Sequence, residues 1–303
     1  MSKSHRVILL ATAATLAAGL VVAQYGPGGG RGGGRGSRSG FGGGYGGGES
    51  GPFVRTEGGQ MVNEDTVRTA RETVPQVDEA PKWTNATGFE RDVFTFARII
   101  FRSPNRRAAG AWMNDYPDSD LNFSFRLQQM TSMTVDPDGR VLKLTDPALF
   151  DYPFIFAAQP GGMQLTDEEV AIMRRYLLNG GMFMADDFWG TRDWLALEAQ
   201  MNRIFPDRHW VELTKAHPLF HSVFDLKEPM NRIQTPSIHH WMRNYNPSVP
   251  GMRASNSRGE GSEDMHVRVC LDAKNHIMIM PTQHSTNGDA RELDIQSDVL
   301  FHL

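Results

Sequence analysis

The chain has 303 residues, one cysteine and a formal net charge of -4. Of its 31 glycines, 18 lie within residues 26–59, so this segment cannot bury enough apolar surface to fold by itself. The first 59 residues carry +4 and residues 60–303 therefore carry -8, which argues against the clustered positive charge of a nucleic-acid-binding surface. The single cysteine excludes an intramolecular disulfide and a cysteine-based zinc site.

Residues 1–23 have the pattern of an export signal. Lys3 and Arg6 form a basic start, and an apolar or small-residue run follows to Ala23. The end of that run fits the small-x-small cleavage pattern, which would leave Gln24 as the mature start. An uncleaved membrane anchor is the alternative reading. No later stretch is apolar enough to cross a bilayer. The prediction is an exported protein, periplasmic or extracellular, with no membrane span after cleavage.

Residues 24–59 follow as a disordered Gly-rich tether. Its Arg-Gly runs resemble those of RNA-binding segments, but export removes the RNA partner and favours a flexible tether. Residues 60–88 are polar and are interpreted as a linker, or as a strap lying on the domain, with one short helix over Val62–Glu72. The folded domain is expected over residues 89–303.

The predicted elements of that domain alternate between strands and helices. In chain order they are a strand at 93–101, a helix at 119–130 with Ser119 as N-cap, strands at 141–144 and 154–158, a helix ending at 178, a strand at 182–185, a helix at 191–205, and strands at 209–213, 267–271 and 277–280. Thr166 and Glu169 form a capping box before the second helix, and Gly180-Gly181 ends it. This alternation predicts an α/β fold with a mostly parallel sheet.

Two predicted strand ends carry polar or glycine residues where ligands bind in parallel sheets. The strand at 154–158 runs into Gln159 and Gly161-Gly162, whose amides could meet an anion. The strand at 182–185 runs into Asp186-Asp187 and Trp189, and these carboxylates could accept protons or bind a cation. The alternative is a tight glycine turn and an aspartate cap on the next helix.

Further candidates lie on either side of these strand ends. Asp115, Asp118 and Asp120 lie just before or at the start of the helix predicted at 119–130, where acids also complement the helix dipole. The spacing of Asp118, Asp120 and Asn122 is close to that of a calcium loop, but Phe123 and Gln129 stand where glycine and glutamate are required.

The irregular stretch at 214–265 contains histidines with candidate roles. His217 is a candidate catalytic partner of Asp186 and Asp187, and His239 is a candidate ligand-binding residue. His217 and His221 together are a weak candidate for a metal site. Surface or structural histidines are the default reading. Cys270 is expected to be a small core residue.

A set of motifs in fixed order resembles a known bacterial family. The motifs are residues 94–102, Trp112 to Asn122, Leu144 to Pro147, Tyr152 to Phe154, Gly161-Gly162, Gly180-Gly181 with Asp186-Asp187, and His217 to Phe224. Together they resemble the domain of unknown function 4159 family over about residues 89–289. The family continues past Asp289 into a further aromatic and apolar segment, so the last element of this chain is expected to be missing or altered.

The resemblance implies a class I glutamine amidotransferase-like, flavodoxin-like three-layer sandwich and an exported or envelope protein, with no activity to transfer. In amidotransferases the strand after the glycine-rich loop ends in a cysteine nucleophile. Asp186-Asp187 stand at that position here, so glutaminase activity is not expected.

Three functions follow as hypotheses. The first is a non-catalytic module of the cell envelope that binds a small ligand or an envelope protein. The second is a hydrolase that uses Asp186 or Asp187 with a histidine from 217–240, with or without a metal. The third is a structural envelope component that acts through its Gly-rich arm.

Overall fold

A computed structural model describes residues 52–221, with short gaps at 57, 76–79, 89–91 and 105–109, together with residues 225 and 265–284. The predicted export signal, the tether before residue 52, and His239 lie outside the described residues. In the described ranges, no helix combines the length and apolar character needed to span a bilayer.

Eleven strands and three α-helices are described. The strands are β1 (Phe53–Arg55), β2 (Met61–Asn63), β3 (Val93–Phe94), β4 (Ala97–Ile100), β5 (Thr134–Val135), β6 (Arg140–Lys143), β7 (Phe154–Ala158), β8 (Met182–Phe188), β9 (Val211–Glu212), β10 (His266–Leu271) and β11 (Ile277–Gln283). The helices are α1 (Asp118–Met130), α2 (Asp167–Leu178) and α3 (Gly190–Ile204).

Seven strands form the main sheet in the order β6-β4-β7-β8-β11-β10-β9. The first five are mutually parallel, and β10 and β9 extend the sheet in antiparallel pairings. The predicted α/β class with a mostly parallel sheet is therefore confirmed.

The central strands are apolar on both faces because helices cover both faces of the sheet. In β7, Ile155 and Ala157 point into a core that contains residues of α2 and α3, whereas Phe154 and Phe156 point toward α1. All five residues of β7 and all seven of β8 are buried. Because both faces are covered, β7 is apolar throughout and β8 is apolar up to Asp186.

Helix α2 begins and ends as its sequence predicts. The Thr166 hydroxyl accepts the Glu169 N–H at 3.2 Å, and the Glu169 carboxylate accepts the Thr166 N–H at 2.7 Å. Gly180 adopts a left-handed φ of 95°, and the Gly181 N–H returns to the Tyr176 carbonyl at 3.1 Å. This pattern of bonds is a Schellman termination.

The structure corrects several local predictions. The strand expected at 93–101 divides into β3 and β4, which belong to different sheets. Helix α1 has Pro117 as its N-cap, and Ser119 lies inside the first turn, where its hydroxyl accepts a hydrogen bond from Arg98 instead of capping the helix. Strand β8 continues three residues beyond the predicted end, so both aspartates belong to the strand.

Residues 60–75 form a strap along the free edge of β6 rather than the expected helix over Val62–Glu72. The Arg68 carbonyl accepts the Val141 N–H at 2.8 Å, and the Ala70 N–H donates to the Asp138 carbonyl at 3.0 Å. Val62 and Ala70 are buried in the core. The strap gains sheet-edge hydrogen bonds and apolar burial, which together outweigh local helix formation.

One strap residue gives a pH-dependent prediction. Glu64 accepts the Trp112 indole N–H at 2.6 Å, and burial raises the pKa of its carboxyl above the usual 4.5. A raised folded-state pKa contributes stability at low pH that is lost as the pH rises through that pKa. Glu64→Gln keeps an acceptor for Trp112 and removes the titration, so the variant should gain stability relative to the wild type between pH 4 and pH 7.

Urea unfolding at both pH values measures this difference. Glu168→Gln, on the exposed side of α2, is the matched control and should show no such trend. A stability difference between wild type and Glu64→Gln that stays constant from pH 4 to pH 7 would contradict the prediction.

Candidate functional site

Buried polar side chains are concentrated in four short stretches of the chain. Thirteen of the fifteen buried polar or charged residues in the described part of the chain come from these stretches. We call these thirteen residues, together with Gln159, Trp189 and Gly190, the carboxyl rim. The thirteen are Arg98, Asn114, Asp115, Asp118, Ser119, Asp120, Asn122, Ser124, Asp186, Asp187, Thr282, Gln283 and His284.

The rim forms because parallel strands deliver their carboxyl ends to the same edge of the sheet. Gln159 follows β7, Asp187 lies at the end of β8, and His284 follows β11. These three strands are adjacent. Burying so many polar groups opposes folding unless they are hydrogen-bonded to one another.

The carboxylate of Asp187 is at the centre of the rim. Its Oδ2 accepts hydrogen bonds from the side-chain amides of Asn114 at 2.9 Å and Gln159 at 3.0 Å. Its Oδ1 accepts the Trp189 indole N–H at 2.8 Å. The donors come from three separate segments, so the sheet edge and the loop before α1 assemble this arrangement together.

Backbone strain is concentrated at the same place. Five described residues other than glycine have positive φ, and four of them lie in the rim: Asp115 at 58°, Gln159 at 47°, Asp187 at 55° and His284 at 61°. Each such residue costs about 1–3 kcal/mol, and strain of this kind clusters at functional sites. The fifth, Asn275, lies between β10 and β11.

A buried ion pair holds the loop that carries Asn114. Arg98 is fully buried on β4, and its guanidinium contacts the Asp120 carboxylate at 2.5 Å. It also donates to the backbone carbonyls of Trp112 at 2.7 Å and Asn114 at 3.0 Å. Arg98 therefore positions the backbone from which the Asn114 amide reaches Asp187.

The other side of the rim is tied to the start of α3. The Thr282 hydroxyl donates to Asp186 at 2.5 Å. The Gly190 N–H donates to His284 Nε2 at 3.0 Å, and the His284 ring stacks on Trp189 with a centroid distance of 5.9 Å. His284 Nε2 is an acceptor in this arrangement, which places the proton of the neutral ring on Nδ1.

A family model described as a domain of unknown function, DUF4159, matches residues 95–290. The chain belongs to this family. The match includes all thirteen buried polar residues of the rim, from Arg98 to His284. No curated protein sequence matches the chain.

The rim of the DUF4159 domain brings together several residues that the sequence nominated. Gln159, Asp187 and Trp189 share one hydrogen-bond network, and Asp186 is the neighbour of Asp187 in β8. The Ser119 N–H donates to the Asp115 carbonyl at 2.9 Å, so Asp115 helps to begin α1. Asp118 is buried in the first turn of that helix.

Other nominated residues have different surroundings. Gly161 and Gly162 lie in a short 3-10 turn, and a Cβ at Gly161 would lie 2.5 Å from the Asp193 side chain. This close approach to α3 favours the tight-turn reading of the glycine pair. The His217 Nδ1 accepts the N–H of Leu219 at 3.2 Å, two residues away.

The weak metal candidates gain no support. His221 contacts Asp225 at 2.5 Å and the Lys215 carbonyl at 2.8 Å. In the part of the chain that the structure describes, no three His, Cys, Asp or Glu side chains converge as a metal site would require.

Three important rim residues were missed from the sequence: Arg98, Asn114 and His284. Arg98 and Asn114 gave no local signal, since their partners lie far away along the chain. His284 was missed because the predicted strand ended at Met280, whereas β11 runs on to Gln283. The signal was present, because Thr282-Gln283-His284 follow a buried strand as Asp186-Asp187 do.

Proposed function

We propose that the DUF4159 domain of this chain is an exported, non-catalytic module that binds a small polar ligand at the carboxyl rim. The observation that carries the proposal is the Asp187 carboxylate, which accepts hydrogen bonds from three segments in a setting of four strained residues. Strain and polar burial together oppose stability. Their concentration at one sheet edge is typical of a site maintained for function.

The strand order supports the same location. Numbered along the chain, the five parallel strands β6-β4-β7-β8-β11 follow the order 2-1-3-4-5, as in flavodoxin-like sheets. In such sheets the ligand crevice opens between the first and third strands, where the winding direction reverses. Asn114 follows β4 and Gln159 follows β7, and their side chains meet at 2.8 Å. This supports the finer assignment as a glutamine amidotransferase-like three-layer sandwich.

Two observations favour binding over catalysis. The Asp187 carboxylate accepts three N–H donors, an arrangement that suits its ionised form. Because these bonds occupy its oxygens, the carboxylate is a poor nucleophile. Cys270 is buried in β10, and burial raises the pKa of its thiol, so it does not supply the thiolate of a glutaminase. The export assignment rests on the basic start and apolar run of residues 1–23.

A panel of small molecules tests the proposal by thermal unfolding of the mature chain. A ligand at about 100 times its Kd adds about 2.7 kcal/mol to the free energy of unfolding. We expect one class among amines, amides, sugars and carboxylates to stabilise the wild type and Glu168→Gln. The same class should not stabilise Asp187→Asn. Asparagine has about the size of aspartate and also tolerates positive φ, but it lacks the negative charge.

Hydrolysis of a substrate by the protein would contradict the non-catalytic assignment. If the wild-type protein cleaved amide, ester or glycoside substrates and Asp187→Asn lost that activity, the non-catalytic assignment would be wrong.

A hydrolase is the second candidate, and one observation favours it. Asp187 has a φ of 55° at the turn from β8 into α3, and a strained strand-to-helix turn is where nucleophile elbows hold the attacking residue. The histidine partner was expected at 217–240. Among the described histidines, His284 is the one linked to this turn, through Gly190 and Trp189.

A further inference from the structure

We infer that the strap regulates the rim, because it holds the turn that presents the Asn114 amide to Asp187. We call this turn, residues 112–116, the rim turn. The inference rests on the proposed binding function and names the regulation of the same site. It follows from the contacts that hold the rim turn on two sides and from the strained backbone inside it.

The strap contacts the first and the last side chain of the rim turn. The Glu64 carboxylate of the strap accepts the Trp112 indole N–H at 2.6 Å. The Tyr116 hydroxyl donates to the Thr69 carbonyl at 3.1 Å and accepts the Thr73 hydroxyl at 3.2 Å. Both aromatic side chains are fully buried. Losing a strap partner therefore leaves a buried polar atom unsatisfied, which is costly.

Arg98 holds the same turn through different atoms. Its guanidinium donates to the backbone carbonyls of Trp112 and Asn114 and lies 5.7 Å from the centre of the Tyr116 ring. Arg98 therefore fixes the backbone of the rim turn, whereas the strap fixes its two aromatic side chains. The two rings lie 5.5 Å apart, so a displacement of one ring is transmitted to the other.

The rim turn contains a strained residue that depends on these contacts. Asp115 has a left-handed φ of 58° and lies between Asn114 and Tyr116. Strain of this kind persists only where the surrounding structure imposes it. Release of Tyr116 from the strap would allow Asp115 to relax. That relaxation would rotate the neighbouring Asn114 amide away from Asp187, so strap docking selects the arrangement that completes the rim.

The place of the strap in the chain makes this coupling a means of regulation. Strand β2 is the first part of the strap, and it pairs with β1 at the end of the Gly-rich segment. A partner that binds or pulls the Gly-rich segment therefore acts on the strap before it acts on the main sheet. Because strap docking and ligand binding are linked, each strengthens the other by the same factor.

Two pairs of variants of the mature chain test the coupling. Tyr116→Phe removes the hydroxyl that bonds the strap and keeps the ring. Its matched control is Tyr152→Phe, which lies before β7, at the opposite end of that strand from the rim. Glu64→Leu removes the acceptor of the Trp112 indole, and its matched control Glu64→Gln retains one.

The first readout is the set of side-chain N–H signals of Asn114, Gln159 and Trp189 in NMR spectra, which report the arrangement of the rim. We expect Tyr116→Phe and Glu64→Leu to shift all three signals. The two control variants should leave the signals at their wild-type positions. Unshifted signals in Tyr116→Phe and Glu64→Leu would overturn the inference.

The second readout is amide hydrogen exchange on the strap, which tests the reverse direction. Asp187→Asn alters the rim, and we expect it to speed exchange of the Ala70 N–H, which bonds the Asp138 carbonyl. The expected increase is at least about fivefold, the lower end of the coupling between linked sites. The Gly181 N–H at the end of α2 should exchange as in the wild type. An equal increase at both positions would indicate a general loss of stability and would contradict the coupling.

A ligand measurement separates this inference from the proposed function. Ethanolamine, acetamide, glucose and acetate represent the four ligand classes of the thermal-unfolding panel. A probe that stabilises the wild type should bind Tyr116→Phe at least about fivefold more weakly and Tyr152→Phe equally well. Equal binding by the wild type and Tyr116→Phe would overturn the inference and leave the proposed function standing. If the rim signals respond but no probe binds, the proposed function fails, and the regulation of ligand binding fails with it.

Discussion

Replacing Arg98 with methionine should lower the free energy of unfolding by about 3–5 kcal/mol, the usual effect of removing one partner from a buried ion pair. Arg98 is fully buried, and its guanidinium bonds Asp120, Ser119 and two backbone carbonyls. The substitution leaves the Asp120 carboxylate buried without its counter-charge. Urea unfolding of the wild type and the variant measures the difference directly.

Two further variants show whether the effect belongs to the pair. In Arg98→Met with Asp120→Leu, the buried charge is removed as well, so the double variant should lose less stability than the two single variants combined. Arg192→Met, on the exposed surface of α3, should stay within about 0.5 kcal/mol of the wild type. A loss below about 1 kcal/mol for Arg98→Met would show that the pair does not hold the rim together.

Gly181→Ala is the second substitution with a large expected effect, and it acts through packing. An added Cβ would lie 2.4 Å from ring atoms of Tyr176. That ring is buried, and its hydroxyl donates to the Tyr152 carbonyl at 2.8 Å, so it cannot move without breaking a contact. Overpacking of this kind costs about 1–3 kcal/mol, which thermal or urea unfolding should reveal.

The Tyr176→Leu background tests that mechanism. Tyr176→Leu lowers stability on its own, but it removes the atoms that the new methyl group would meet. Gly181→Ala should therefore cost clearly less in this background than in the wild type. Equal costs in both backgrounds would mean that the loss arises from backbone conformation rather than from the aromatic contact.

The parts of the fold that sequence predicted well are those determined locally. The Thr166 capping box, the Gly180-Gly181 termination and the buried texture of β7 depend on residues within a few positions of one another. Asp187, Gln159 and Trp189 were nominated from the same reasoning, because they follow uninterrupted apolar strands. The carboxyl ends of parallel strands lie at a common edge, so the general location of the candidate site could be stated in advance.

The parts that sequence reasoning missed depend on distant partners. In the sequence, Arg98 resembles an ordinary polar residue of a strand. Its partner Asp120 lies on α1, and only the folded crossover places the two side chains together. The contact of His284 with Gly190 joins positions 94 apart in sequence. Strand β11 also runs past Pro281, although proline is uncommon inside a central strand, and the predicted strand stopped at Met280.

The strap has a consequence for where the molecule can be cut. The region matched by the family begins at residue 95, but Arg68 and Ala70 bond the backbone of Val141 and Asp138 along the free edge of the sheet. A fragment trimmed to the family match would expose that backbone as an unpaired strand edge, the feature by which one sheet recruits another. The unit that keeps this edge of the sheet covered therefore begins upstream of the family boundary.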